Sequence, residues 1–283
     1  MNTVHTTPDP FRLDGARVLV TGASRGIGRS VAVTLARAGG RLALSARTPE
    51  ALARTAELVA KEGHDAVLVP GDLAAPEEAG AVVDGAAAAL GGLDILVHNA
   101  GILPSHPDGS AAMVPLQDSV QESWDHVVSV NLNATAALCR HAHRHLSASP
   151  RASVVLMSSL AGVVGAPLME AYAATKAAQI SLARSLAVGW ARTGIRVNAL
   201  CPGWTRTDMT ASVHTAEPLS DWLMAHVPMG RWAEPQEVAH ATLFLVSPAA
   251  SFLTGHALLL DGGASVPDCG LAGIAKPPSP FVT

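Results

Sequence analysis

The sequence predicts an α/β fold: a doubly wound, mostly parallel sheet of about seven strands with helices on both faces. Short apolar runs of four or five residues, most ending in small or polar residues, recur along the chain. Ala-rich segments of helical periodicity separate them, and no Pro/Gly/Ser linker divides the middle of the sequence. Such alternation brings successive strands side by side through right-handed crossovers, giving a buried parallel sheet. Ligands bind beyond the carboxyl ends of the strands in sheets of this kind.

The strands are expected at residues 17–21, 41–45, 66–69, 93–97, 153–157, 196–200 and 257–260, each too short and too apolar for a surface helix. The crossover helices are expected at residues 27–38, 50–61, 77–90, 123–145, 171–190 and 236–245. Residues 12–263 thus read as one domain, after an extension over residues 1–11. A tail over residues 264–283 follows, and its Pro-rich end from Lys276 to Thr283 is expected to be extended or mobile.

Composition narrows the function. At 49% hydrophobic and 15% charged, the 283-residue chain can bury a large core. A formal charge of -4 with scattered arginines gives no basic face for nucleic acid or an anionic membrane. Residues 1–10 lack the basic-then-apolar order of a secretory signal, and no apolar stretch reaches spanning length, so a cytoplasmic protein is expected. Cys139, Cys201 and Cys269 are odd in number and far apart, which suits reduced thiols.

Two motifs carry chemistry. Residues 18–28 pass from a strand through Gly22, Ser24, Arg25, Gly26, Ile27 and Gly28 into a helix. Glycines there permit a tight turn and close backbone approach to a pyrophosphate, and the helix N-terminus offers free N–H groups. A glycine trio alone also fits a plain strand–helix turn. The second motif is Tyr172, the only tyrosine, followed four residues later by Lys176, one of three lysines. Chance would place a lysine there roughly once in 100, and on a helix the two share a face. At roughly 5 Å and an effective dielectric of about 20, an ammonium would favour the phenolate by ~3 kcal/mol, about two pKa units. A helix-surface pair is the alternative reading.

With these residues in place the chain resembles the short-chain dehydrogenase/reductase family, in its compact single-domain NAD(P)-dependent form with a Rossmann fold. Thr21-Gly-x-x-x-Gly-x-Gly28, Asp72-Leu73, Asn99-Ala100-Gly101, Asn131, Ser159, Tyr172-x-x-x-Lys176 and Pro202-Gly203 follow the family's order and spacing. The resemblance spans roughly residues 12–263. Ser159 rather than Ser158 is selected by its 13-residue distance to Tyr172. The resemblance implies that Tyr172 exchanges a proton with the carbonyl or alcohol oxygen while hydride passes at the nicotinamide. It implies that Lys176 lowers the tyrosine pKa and binds the nicotinamide ribose, that Ser159 donates to the reacting oxygen, and that Asn131 holds a water for proton relay. A capping Ser159 and a solvated Asn131 are the readings without it.

Cofactor choice turns on the end of the second strand. Ala46 stands where an NAD site places an acid, Arg47 follows, and Arg25 adds a second cation, a pair suited to a 2′-phosphate. NADP(H) is therefore expected over NAD(H). Asp72 and Leu73 would frame the adenine; Asn99, Ala100 and Gly101 would line the cleft; Pro202, Gly203, Thr205 and Thr207 would cover the nicotinamide. His98 departs from the family's usual asparagine and reads as a satisfied, partly buried histidine.

Residues 205–229, with Trp222, Leu223 and Met224, read as a substrate lid or an ordinary amphipathic helix. Leu103, Met169, Glu170 and Trp204 suggest a partly apolar carbonyl substrate, bordered by the long segment 103–117. Of His141, His143 and His145 only the first and last share a face and no third ligand is near, so no metal is expected. The expected activity is that of an NADPH-dependent carbonyl reductase, reversible as a secondary-alcohol dehydrogenase, on a small-molecule substrate. The alternatives are NAD-dependent alcohol oxidation and a non-catalytic NADP-binding regulator. The resemblance implies a homotetramer or homodimer.

Overall fold

A computed structural model describes residues 9–105, 113–267, 273 and 277–278. Seven parallel strands form one sheet in the order β3-β2-β1-β4-β5-β6-β7. They are β1 (Arg17–Thr21), β2 (Arg41–Ser45), β3 (Val67–Leu68), β4 (Ile95–His98), β5 (Ser153–Met157), β6 (Arg196–Pro202) and β7 (Ala257–Leu260). Four match the sequence expectation at both ends. β3 is shorter than expected because only Ala43 and Leu44 of β2 pair with it at the sheet edge.

The helices are α1 (Gly26–Arg37), α2 (Pro49–Ala60), α3 (Pro76–Leu90), α4 (Gln121–Val128), α5 (Ala134–Leu146), α6 (Glu170–Trp190), α7 (Ala211–His214), α8 (Glu217–Met224) and α9 (Pro235–Val246). The continuous helix expected over residues 123–145 is interrupted by a π-helical turn, Ser129–Asn133, between α4 and α5. Periodicity did not reveal it because a π turn inserts one residue without ending the helix.

Alternate residues of one strand feed opposite layers, as the two-residue repeat requires. Leu19, Leu96, Val154 and Leu156 join a core layer with α3, α5 and α6. Val18, Val20, Ile95, Val97 and Val155 join the layer formed with α1, α2 and α9. Each fully buried aliphatic side chain contributes about 1.5–3 kcal/mol. β1 and β4 are neighbours although α1, β2, α2, β3 and α3 lie between them in sequence, so the strand order reverses there. A crevice opens at that switch point above the carboxyl ends. No described helix is long and apolar enough to cross a membrane. Cys139 and Cys201 are buried free thiols, and Cys269 lies outside the described residues. So does most of the Pro-rich end expected to be extended.

Candidate active site

The glycine loop after β1 is shaped by close contacts. Gly22 has φ +64°, and a β-carbon there would meet Ala100 Cα at 2.8 Å and Asn99 Nδ2 at 2.9 Å. A β-carbon on Gly28 would overlap the main-chain oxygen of Gly22. Gly26 has φ +52° and lies against Thr207, so the turn needs glycine on conformational grounds as well. Asn99 Nδ2 donates to Gly22 O at 3.0 Å and Thr21 O at 3.3 Å, tying the end of β4 to the loop. Arg25 is the N-cap of α1 and makes no side-chain cap bond, and the first turn of α1 holds no acid. This helix end suits an anion.

The remaining cofactor candidates lie along the same edge of the sheet. Arg47 is exposed just after β2, and Ala46 before it carries no charge. Arg25 is 67% exposed and lies 4.0 Å from Asp208, itself 59% exposed, a loose and well-screened pair. Asp72 is exposed and accepts from Ala74 N at 3.0 Å, whereas Leu73 is buried in the core. Gly203 N donates to Leu260 O at 2.9 Å, and Thr205 Oγ1 donates to Gly203 O at 3.0 Å. Thr207 caps the short 3-10 turn Asp208–Thr210 in a reciprocal box with Thr210. Thr205 is buried rather than facing the cleft freely.

The candidate reactive residues lie on α6 and at the end of β5. Tyr172, Thr175, Lys176 and Gln179 follow the i, i+3, i+4, i+7 repeat and so share one face of α6. Lys176 Nζ lies 5.4 Å from the centre of the Tyr172 ring. It is buried and donates to Met157 O at 2.7 Å and Gln179 Oε1 at 3.1 Å. Ser159 Oγ accepts from Ala161 N at 3.1 Å and also hydrogen-bonds the Tyr172 side chain. It therefore caps a turn and reaches the phenol at once. Ser158 donates instead to Lys176 O at 2.7 Å, a structural bond.

Asn131 is wholly buried in the π turn, not solvated. Its Oδ1 accepts from Ile102 N at 2.8 Å, and its Nδ2 donates to Ile102 O at 2.9 Å and Thr175 Oγ1 at 3.3 Å. Its main-chain oxygen receives Thr135 Oγ1 at 2.6 Å and Gln179 Nε2 at 2.8 Å. His98 is a satisfied histidine, wholly buried between Thr21 Oγ1 at 2.9 Å and Thr135 Oγ1 at 2.8 Å. Burial and the neighbouring Lys176 push its pKa down to about 3, so it is neutral.

The electrostatics correct one expectation. Burial raises the Tyr172 phenol above its ordinary value, opposed by the Ser159 hydrogen bond. Lys176 is pushed down to about 7, again by burial. The depression expected from a fixed ammonium beside the phenol is absent because the lysine is itself desolvated and gives up its charge first.

Trp204 and Trp232 meet edge to face at 5.6 Å, and Met224, Val227 and Trp232 are buried in a separate apolar cluster with Leu223 and Val213. The segment expected as a lid is thus α7, α8 and their turns on a satellite core. A cavity of about 450 Å³ is lined by Pro104, Val114, Leu116, Trp124, Leu168 and Glu170 among others, and borders the start of α6. Its rim includes the ends of the long segment after β4; residues 106–112 lie outside the described residues. Leu168 adopts φ +69°, with its N–H bonded to Glu170 Oε1 at 3.2 Å. Among the three spaced histidines, His143 packs on Trp190 at 4.8 Å and His145 bonds Asp84 at 3.0 Å. Gln179, Thr135 and Trp232 were not singled out by sequence; the signal for Gln179 was a polar residue continuing the face of Tyr172 and Lys176.

The chain is similar to known proteins along most of its length. A family model described as enoyl-(acyl carrier protein) reductase matches residues 22–265. The gluconate 5-dehydrogenase of Gluconobacter oxydans is 37% identical over 92% of this chain and 98% of its own. The cis-4-hydroxycyclohexanecarboxylate dehydrogenase of Sinomonas cyclohexanicum is 38% identical over 87% of this chain and 94% of its own. A crystal structure of a gluconate 5-dehydrogenase from Burkholderia cenocepacia in complex with NADP and tartrate superposes with a TM-score of 0.84. Its sequence is 34% identical, covering 92% of this chain and 98% of that one.

Proposed function

The chain belongs to the short-chain dehydrogenase/reductase family and is an oxidoreductase of CH–OH and C=O groups; on that premise we propose that it interconverts a ketone and a secondary alcohol on a small hydroxy carboxylic acid, with NADP(H) as hydride carrier. The observation that carries this reading is the meeting of Ser159, Tyr172 and Lys176 at the carboxyl end of β5, on the edge that also bears the glycine loop. The substrate class follows from relatives that are named for gluconate and for a hydroxycyclohexanecarboxylate.

The residues present fit a dinucleotide. Gly22 and Gly28 let the loop fold tightly against Ala100 and Asn99, where β-carbons would collide, and the uncapped start of α1 suits a pyrophosphate. Arg25 and Arg47 would hold a 2′-phosphate, since the acid that would repel it is replaced by Ala46. Asp72 and Leu73 would flank the adenine. Asn99, Ala100, Gly101, Pro202, Gly203 and Thr207 would line the remaining path, with Thr205 bracing Gly203 from behind. When bound, the nicotinamide supplies or takes the hydride.

The chain's own residues handle the proton. In reduction, Tyr172 gives its phenolic proton to the carbonyl oxygen, and its raised pKa keeps that proton in place beforehand. Ser159 Oγ accepts from Ala161 N and bonds the Tyr172 side chain, and with substrate present its hydroxyl proton would turn to the developing charge on the same oxygen. Lys176, when protonated, makes the phenol a stronger acid at the moment of transfer. In oxidation the same atoms act in reverse.

A panel of keto acids, hydroxy acids and neutral counterparts, followed by NADPH absorbance, tests the reading. Turnover of keto acids at least about tenfold above the matching neutral ketones is expected, since one charge-assisted contact is worth ~1.5–3 kcal/mol. Turnover confined to neutral ketones would refute the substrate class, and none on any carbonyl would refute the chemistry.

A further inference from the structure

Among the described residues, no anion is hydrogen-bonded to Lys176. The titratable groups facing it are Tyr172 on its own helix, Cys201 on β6 and His98 on β4. His98 is neutral, and burial pushes the Cys201 thiol up as it does the Tyr172 phenol. The ammonium is left with two neutral acceptors, Met157 O and Gln179 Oε1. The first belongs to the sheet and is the same for any side chain; the second is a choice of residue.

Gln179 is itself fixed from behind. It is wholly buried, and its amide nitrogen donates to Asn131 O at 2.8 Å and Thr135 Oγ1 at 2.9 Å. Thr135 uses its one proton on Asn131 O, so toward His98 Nε2 it is an acceptor. His98 therefore carries its proton on Nε2 and offers Nδ1 to the Thr21 hydroxyl, whose oxygen receives Ala100 N–H at 3.2 Å. Donors and acceptors alternate without conflict from β1 to α6. The π turn brings the Asn131 carbonyl into reach, where it accepts two side-chain bonds. With both amide donors committed, Gln179 can turn only its oxygen to the lysine.

We propose that Gln179 is a positioning residue for the reaction: its carboxamide, oriented by Asn131 and Thr135, holds the Lys176 ammonium protonated and in place beside Tyr172. The proposal rests on the reading that Tyr172 and Lys176 are the reactive pair. A neutral amide suits the task, because an aliphatic side chain would remove an acceptor and a carboxylate would overbind the charge.

Three lysines in the chain make the test direct. With the side chains carbon-13 labelled, Lys176 is assigned by loss of its signal in Lys176→Met and titrated by NMR in the full-length protein. In Gln179→Met its midpoint should fall by about one unit, a tenfold smaller ammonium fraction above it, and in Gln179→Glu it should rise. The alkaline fall of kcat/KM for reduction should move with it in both variants. An unmoved midpoint in the two variants, or a shift of the same sign in both, overturns the proposal. If the midpoints move as stated but the wild type reduces no carbonyl, the catalytic reading fails and the positioning role falls with it.

Discussion

The α-carbon of Gly28 faces the main-chain oxygen of Gly22 with no room for a β-carbon between them. Gly28 lies in the first turn of α1 and Gly22 begins the turn after β1, so their contact sets how near the helix start lies to the strand end. Gly28→Ala must separate them. NADPH affinity, read by quenching of tryptophan fluorescence, should fall by at least about tenfold, the worth of ~1.4 kcal/mol. Gly189 in α6 has open space around its missing side chain, so Gly189→Ala should instead be neutral or stabilising by up to about 1 kcal/mol. Equal effects of the two substitutions would refute the steric argument.

Tyr172→Phe removes only the acid. Reduction should slow by about 10²–10⁴ while NADPH binding changes little, because the loss is confined to proton transfer. Ser159→Ala should lower kcat by a similar order and also cost about 1 kcal/mol of stability through the lost bond from Ala161 N. A Ser159→Ala protein with full activity would assign that residue to capping alone.

The single tyrosine allows its ionisation to be read by ultraviolet difference absorbance. Burial holds the phenol above its ordinary 10, whereas Lys176 has lost its proton from about 7 upward. At the pH where Tyr172 ionises the lysine is therefore already neutral. Lys176→Met should leave the tyrosine midpoint of the cofactor-free protein nearly in place, and a rise in that variant would show that a charged lysine persists. The reduction rate, by contrast, should fall as pH rises past about 7, where the ammonium is lost.

Much of this arrangement was legible in the sequence because it rests on local rules. β1, β2 and β5 are short, largely buried apolar runs and β7 is a half-buried one, and their ends were plain. The shared face of Tyr172 and Lys176 follows from helical spacing alone. What escaped depends on contacts between distant segments. The burial that lowers the Lys176 pKa comes from packing of α6 on β5 and β6, and the pairing of Gln179 with Asn131 joins residues 48 positions apart. Neither has a one-dimensional signature. The π turn escaped for a different reason, since Val127, Val130, Ala134 and Leu138 keep the three- and four-residue spacing that an uninterrupted helix would share.

Arg47 stands exposed at the end of β2 with no acid at position 46. If it meets a 2′-phosphate, Arg47→Ala should weaken NADPH by about tenfold or more and leave NADH unchanged, the value of a charge-assisted bond at ~1.5–3 kcal/mol. Arg25 carries a competing partner in Asp208, so Asp208→Asn should tighten NADPH slightly rather than weaken it. Parallel loss of both nucleotides in Arg47→Ala would place that residue elsewhere on the cofactor.

Away from the site, Asp94 anchors the amino end of the central strands. It is 4% exposed and receives Arg17 N at 2.8 Å, Arg17 Nε at 2.9 Å, Arg17 Nη2 at 2.6 Å and Ser149 Oγ at 2.7 Å. Burial alone would raise its pKa, but the Arg17 and Ser149 bonds overcome that and hold it at about 2. A carboxylate whose folded pKa lies below its unfolded value stabilises at all pH above the unfolded value and loses that contribution as pH falls through the folded one. The window here runs from about 4 down to about 2. Asp94→Asn leaves the Arg17 guanidinium facing a neutral amide and should cost about 3 kcal/mol at neutral pH by urea denaturation. The difference from wild type should shrink below pH 4, and a difference constant down to pH 2 would show that the charge contributes nothing.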